Sequence, residues 1–225
     1  MAKKNFDLIV FDWDGTLMDS TAAIIKSIQA AARDLELPVP TMQSASYVIG
    51  LGLREAMESV VPGLEPQYYS KMVERYRHHY LIKSSELTLF DGVHDMLDDL
   101  SQCGYLLAVA TGKSRAGLNR ALHETKSGSH FHATRCADET FSKPHPAMLN
   151  ELTSELGQDM ARTVMIGDTT HDLLMAANAG ASGIAVQYGA HQEQELQLYK
   201  PIFSATSIIQ LHAWLIENAG YGFSV

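Results

Sequence analysis

The stretch LIVFDWDGTLMD, from Leu8 to Asp19, decides how the rest of the chain is read. An apolar run ends in Asp12 and Asp14, which flank Trp13 and lead into Gly15 and Thr16. Phe6 to Phe11 is apolar except for Asp7, the pattern of a strand buried on both faces. Two carboxylates two residues apart at the end of such a strand repel each other. A solvated turn would tolerate them, since Asp and Gly are ordinary turn formers. The remainder of the chain decides between a turn and a site.

The 225 residues suffice for one large domain, or for one domain carrying a smaller insertion. A hydrophobic content of 46% with 19% charged residues describes a soluble globular protein with a substantial core. The net charge of −9, from 17 Lys and Arg against 26 Asp and Glu, argues against a duplex nucleic-acid binder or a polybasic membrane-surface protein. Cys103 and Cys136 form no CxxC pair, which fits free thiols in a reducing cytoplasm. The N-terminal stretch carries Lys3, Lys4, Asp7, Asp12 and Asp14, too many charges for a signal peptide or a transmembrane helix. A cytoplasmic protein with no nucleic-acid and no membrane partner is expected.

After the paired aspartates, Asp19 or Ser20 can cap a helix that the LPVP stretch at Leu37–Pro40 stops. Residues from about Ser44 to Ile82 read as helices in pieces, broken at IGLGL and at VPGLEP, with no convincing strand. From Leu89 the texture changes. YLLAVATG, FHATRC, TVMIGD and GIAV read as strands, and helical segments separate them. Strands alternating with helices predict an α/β fold, a three-layer, Rossmann-like, doubly wound parallel sheet. The helical segment then becomes an inserted cap domain over 17–88, with the catalytic core formed by 1–16 and 89–225.

In such sheets ligands bind beyond the carboxyl ends of the strands. The first strand delivers Asp12 and Asp14 to that edge, and YLLAVATGK delivers Thr111, Gly112 and Lys113. TVMIGD delivers Asp168, with Asp172 one turn later, and FSKPHP supplies Lys143. Singly, each is an ordinary turn, cap or surface residue. Together they would crowd several carboxylates into one small volume, which requires a cation and a lysine to neutralise it. Oxygen-only ligation suits Mg²⁺, which often partners a substrate phosphate. A threonine hydroxyl, backbone N–H groups of the Gly-containing turns and Lys143 form a matching oxyanion clamp. A carboxylate nucleophile, a second carboxyl, a cation and a phosphate cradle spell phosphoryl transfer.

The ordered set DWDGT, ATGK, SKPHP and GDTTHD resembles the four motifs of the haloacid dehalogenase superfamily, and it spans the chain almost end to end. The resemblance extends to the subfamily with a helical cap inserted after the first motif, which includes phosphoglycolate phosphatases. It implies a Mg²⁺-dependent phosphatase acting on a small-molecule phosphate monoester, with 2-phosphoglycolate a candidate, through an aspartyl-phosphate. By position, Asp12 matches the nucleophile and Asp14 the general acid and base. Thr111 and Lys143 match the phosphate binder and the charge stabiliser, and Trp13 and Gly112 would add phosphate contacts. Asp12, the backbone carbonyl of Asp14, and Asp168 match the metal ligands, with Asp172 supporting the metal's water shell. Asp14 argues against dehalogenation, which needs no leaving-group acid. A sugar-phosphate mutase keeps both aspartates and is the alternative, and a phospho-accepting receiver or a non-catalytic phosphate-binding protein is a more distant one.

Substrate choice should sit on the cap, because the core recognises only phosphate. Arg54, just past IGLGL, has the bidentate fork for a substrate carboxylate, and Lys26 is a weaker candidate. Among the ten histidines no HExxH or paired Cys/His spacing supports a transition-metal site, although His145 and His171 are expected near the reaction centre.

Overall fold

The computed structural model describes residues 5–84 and 86–218. The chain opens with β1 (Leu8–Phe11) and passes directly into α1 (Thr21–Asp34), α2 (Met42–Tyr47), α3 (Leu53–Val60) and α4 (Pro66–Ser84). It then alternates through α5 (Val93–Gln102), β2 (Leu106–Thr111), α6 (Arg115–Glu124), β3 (Ala133–Cys136), α7 (Ala147–Leu156), β4 (Thr163–Gly167), α8 (Thr170–Ala179) and β5 (Ser182–Val186). A short α9 (Glu193–Gln197), β6 (Phe203–Ala205) and α10 (Ile208–Glu217) complete it. The six strands form one parallel sheet in the order β3-β2-β1-β4-β5-β6.

The two-residue period of the strands builds the layers. Ile9, Phe11, Leu107, Val109, Val164 and Ile166 point into one apolar cluster with Leu97 and Leu211. Leu8, Val10, Ala108, Ala110 and Met165 point the other way, against Leu149 of α7 and Met175 of α8. Both faces of β1 are fully covered, which is why LIVF carries no polar residue. The expected three-layer α/β sheet is the fold observed. Phe203–Ala205 is an edge strand that the sequence reading left unassigned. Three residues give no period to recognise, and only pairing with β5 makes them a strand.

The order of the sheet positions the site. The chain steps outward from β1 to β3, then returns to lay β4 against the free side of β1. Ligand crevices of such sheets lie at this reversal, at the carboxyl ends. Phe11 pairs in register with Ile166, and the Asp12 N–H donates to the Ile166 carbonyl at 2.9 Å. Asp12 and Asp168 therefore leave adjacent strands one residue out of level.

Helices α1–α4 have an apolar cluster of their own, built from Ile24, Ile28, Val48, Met57, Val60 and Met72. At its rim Asp34 of α1 accepts hydrogen bonds from Arg75 and His79 of α4. The connections into and out of this unit pair with each other through a bridge between Met18 and Leu89. Among the described residues no helix is long and apolar enough to cross a membrane.

Candidate active site

The carboxyl end of β1 turns sharply after Asp14. The Trp13 carbonyl accepts from the N–H groups of Leu17 and Met18, while the Trp13 ring is buried against Phe131 and its Nε1 donates to the Met18 sulfur. Gly15 makes the turn possible for two reasons. Its φ of +82° lies in the left-handed region, and a Cβ there would stand 2.2 Å from Asp168 Oδ2. The missing side chain is the space that Asp168 uses.

Five charged groups, Asp12, Asp14, Lys143, Asp168 and Asp172, are buried around this turn. Lys143, arriving from the segment before α7, donates to Asp12 Oδ1 at 2.5 Å and to Asp172 Oδ1 at 2.6 Å. Asp172 Oδ2 in turn accepts from the Thr169 N–H and hydroxyl, closing a capping box at the start of α8. Asp168 Oδ1 accepts from the Thr16 hydroxyl at 2.9 Å, and Oδ2 from the Ala190 N–H at 2.7 Å. Asp12 Oδ2 is buried and has no hydrogen-bond partner.

These environments shift the titrations. Burial is the main cause that pushes the Asp12 carboxyl up to about 7, against the opposing pull of Lys143. Burial also holds Asp168 well above the ordinary carboxylate range, helped by the charges of Asp12 and Asp172. The lysine resists its own burial because two carboxylates flank it, which raise its pKa. Oxygens of Asp12, Asp168 and Asp172 lie within 4.8 Å of one another. An all-oxygen donor set with an unpartnered buried carboxylate oxygen fits a hard divalent cation. The arrangement can hold such a cation, present a carboxylate to an electrophile and cradle an anion.

The family model for "Haloacid dehalogenase-like hydrolase" matches residues 9–186, which contain every one of these groups. The chain belongs to the haloacid dehalogenase-like hydrolases. Among relatives of this hydrolase, "Probable phosphatase IndB" of Dickeya dadantii is 36% identical over 199 residues, covering 86% of each chain. "Phosphoglycolate phosphatase" of Aliivibrio fischeri is 29% identical over 208 residues, covering 88% of this chain and 91% of its own. A hydrolase from Pseudomonas syringae of known structure superimposes with a TM-score of 0.86 at 19% identity, over 94% of this chain and 98% of that one. The family expected from the four motifs is the family found.

The hydrolase brings the inserted helices down onto this edge. The Gly50 and Leu51 carbonyls lie so close to Gly112 that a Cβ on it would be 2.6 and 2.3 Å away. The Gly52 N–H donates to the Ser142 hydroxyl at 2.7 Å, and the Ser46 hydroxyl to the Ala190 carbonyl at 2.6 Å. His171 and His191 both donate through Nε2 to the Tyr47 carbonyl, and their rings flank the Tyr47 ring. Burial lowers the pKa of both histidines, consistent with neutral rings. A cavity of about 1180 Å³ remains between the inserted helices and the core, bordered by Asp14, Gly112, Lys113, Arg54, Tyr76 and Tyr80.

Thr111 is buried at the end of β2, where its hydroxyl accepts from the Lys113 N–H at 3.2 Å. Arg54 does not reach the carboxylates. It stands at the cavity border, 66% exposed, paired with Glu58 at 3.5 Å and lying over the Tyr69 ring. Lys26 is on an exposed face of α1 and takes no part in the cavity. His145, expected near the centre, is exposed, stacked on Phe141 with its Nδ1 accepting from the Ala147 N–H.

Two residues carry more than the sequence reading assigned to them. Ser20, one of the two residues expected to cap α1, stands at the cap position but makes no capping hydrogen bond; its hydroxyl donates to Asp14 Oδ1 at 2.6 Å. Lys113, delivered by β2 but given no role, pairs with the same oxygen at 2.9 Å. The signal for Lys113 was its place two residues beyond Thr111, on the side of the sheet edge that also carries Thr111. Nothing in the sequence marked its partner.

Proposed function

We propose that this hydrolase is a Mg²⁺-dependent phosphatase that cleaves a small-molecule phosphate monoester through an aspartyl-phosphate on Asp12. The observation that carries the reading is Asp12 Oδ2, a buried carboxylate oxygen without a partner, beside a lysine that holds Oδ1. Leaving such an atom unpaired is costly unless a ligand or an electrophile meets it. In the reaction a carboxylate oxygen of Asp12 forms a bond to phosphorus as the bond to the leaving oxygen breaks, and Asp14 gives the leaving oxygen its proton. The alcohol departs. Asp14, now a carboxylate, removes a proton from water, which attacks phosphorus and releases phosphate and the Asp12 carboxylate.

Lys143 steadies Asp12 and the charge on phosphate, and Thr111 with backbone N–H groups of Trp13 and Gly112 would bind its oxygens. Asp12, the Asp14 carbonyl and Asp168 would hold the cation, with Asp172 behind them. When bound, it supplies the positive charge that makes attack of one anion on another tolerable. Helices α1–α4 act as a cap over 17–88, excluding water and setting specificity. Arg54 at the cavity border suits a substrate carboxylate, and the phosphoglycolate phosphatase relative makes 2-phosphoglycolate the first substrate to try. Free Cys103 and Cys136 support a reducing, cytoplasmic setting.

Release of phosphate from p-nitrophenyl phosphate and from a panel of phosphorylated metabolites, with and without Mg²⁺, tests the assignment. Asp12→Asn should abolish turnover on every substrate. Full Mg²⁺-dependent turnover by this variant would overturn it.

A further inference from the structure

We propose that Lys113 is a positioning residue for Asp14, and that Tyr80 of the inserted helices holds Lys113 in that role, so that the acid is set only when those helices are docked. The proposal rests on the phosphatase reading and on the assignment of Asp14 as its acid. Lys113 Nζ lies 2.9 Å from Asp14 Oδ1 and donates to the Tyr80 hydroxyl, also at 2.9 Å. The same ammonium sits 4.8 Å from the centre of the Tyr80 ring. Both ends of the pair are nearly buried, with 10% of the lysine side chain and 11% of the aspartate side chain exposed.

The contacts divide between the two parts of the protein. Asp14 and Lys113 follow the core strands β1 and β2, whereas Tyr80 comes from the last turns of α4. Tyr76, one turn earlier on the same helix, stacks on Tyr80 with ring centres 5.8 Å apart and fixes its ring. The base of the lysine is anchored as well, through its N–H to Thr111. Ser20 and Lys113 both use Asp14 Oδ1. Oδ2 is then the oxygen left to exchange the proton, and the ammonium on Oδ1 stabilises the carboxylate that Asp14 becomes once the proton has left.

A lysine on a four-carbon stem loses much rotational freedom when held in one place. Here the tyrosine hydroxyl and ring pin it, and the pair is shielded from water. If α4 moves off, Tyr80 goes with it, and the Lys113–Asp14 pair becomes an exposed ion pair of little strength. The acid then loses its fixed orientation. Closure and acid catalysis would thus be coupled through one ammonium group.

Aryl phosphates that differ only in the ring substituent test this. Nitrophenol leaves easily without a proton, while unsubstituted phenol depends more on the acid. Wild-type turnover of p-nitrophenyl phosphate in Mg²⁺, and its loss in Asp12→Asn, first establishes the phosphatase reading; failure there overturns that reading and this proposal with it. With the activity present, the ratio of kcat for phenyl phosphate to kcat for p-nitrophenyl phosphate is compared among folded variants. Lys113→Met should lower this ratio about tenfold or more, and Tyr80→Phe should lower it about three- to tenfold, within the span of general acid catalysis. Lys113→Arg should restore part of it. Adding Lys113→Met to Asp14→Asn should lower the ratio no further than Asp14→Asn alone. Equal losses on both esters, or an additive double variant, would show a merely structural ion pair and overturn the proposal.

Discussion

Replacing Asp12 by asparagine should stabilise the metal-free protein at neutral pH while it destroys turnover. Asp12 is 1% exposed, and burial pushes its carboxyl from an ordinary 3.8 up to about 7. Between those pH values the folded state therefore binds more protons at this site than the unfolded state does. Stability falls as pH rises through that window, and the full loss is present above about pH 7. A difference of roughly three pH units at about 1.36 kcal/mol each amounts to about 4 kcal/mol. In a chain of this size about 1 kcal/mol moves Tm by about 2–4 °C, so the cost corresponds to about 8–16 °C. The amide side chain of the Asp12→Asn variant has no charge to desolvate and keeps an oxygen for Lys143. Thermal unfolding in EDTA from pH 5 to pH 8 should show wild-type Tm falling more steeply than that of Asp12→Asn. Adding Mg²⁺ at pH 8 should raise the wild type and leave the variant nearly unmoved, since a cation held by ionised Asp12 removes the penalty. Parallel Tm curves in EDTA, or equal rescue of both proteins by Mg²⁺, would refute the reasoning.

Three other substitutions probe the remaining parts. Gly112→Ala places a Cβ 2.3 Å from the Leu51 carbonyl oxygen, a backbone atom that cannot rotate away; helices α1–α4 should lift, kcat/KM should fall about tenfold or more, and amides 47–52 should exchange faster. Unchanged kcat/KM would show that this approach is dispensable. Arg54→Ala should change stability by less than about 1 kcal/mol, because its ion pair with Glu58 is exposed. Its kcat/KM should fall more on 2-phosphoglycolate than on a phosphomonoester with an uncharged leaving group, and equal losses would remove Arg54 as a carboxylate reader. Met57→Ala, in the apolar cluster of α1–α4, should cost about 2–5 kcal/mol in chemical denaturation.

The site was legible in the sequence to the extent that its groups ride on strand ends. Asp12, Thr111 and Asp168 each follow an apolar run, and a parallel sheet brings such ends to one edge whatever the loops do. Asp172 follows from the helical turn after Asp168, and Lys143 from the demand for a counter-charge. Residues whose contacts depend on a distant partner are not placed by the sequence. Ser20 has the sequence position of a helix cap, yet its hydroxyl is turned to donate to the Asp14 carboxylate at 2.6 Å, which takes its oxygen away from the first backbone N–H groups of α1. Arg54 has the right chemistry, but Glu58 and Tyr69 offer it nearer partners on its own side of the cavity.

The sequence by itself determined the layered sheet, the four clustered motifs and the family, because local period and strand-end position are properties of short segments. Tertiary structure alone decided how the inserted helices meet that edge. It set the Tyr47 carbonyl between His171 and His191, the Gly50 and Leu51 carbonyls against Gly112, and Tyr80 on the lysine paired with Asp14. Those contacts join residues from 33 to 144 positions apart. No repeat or spacing encodes them, since they depend on how two separately packed apolar clusters come to rest against each other.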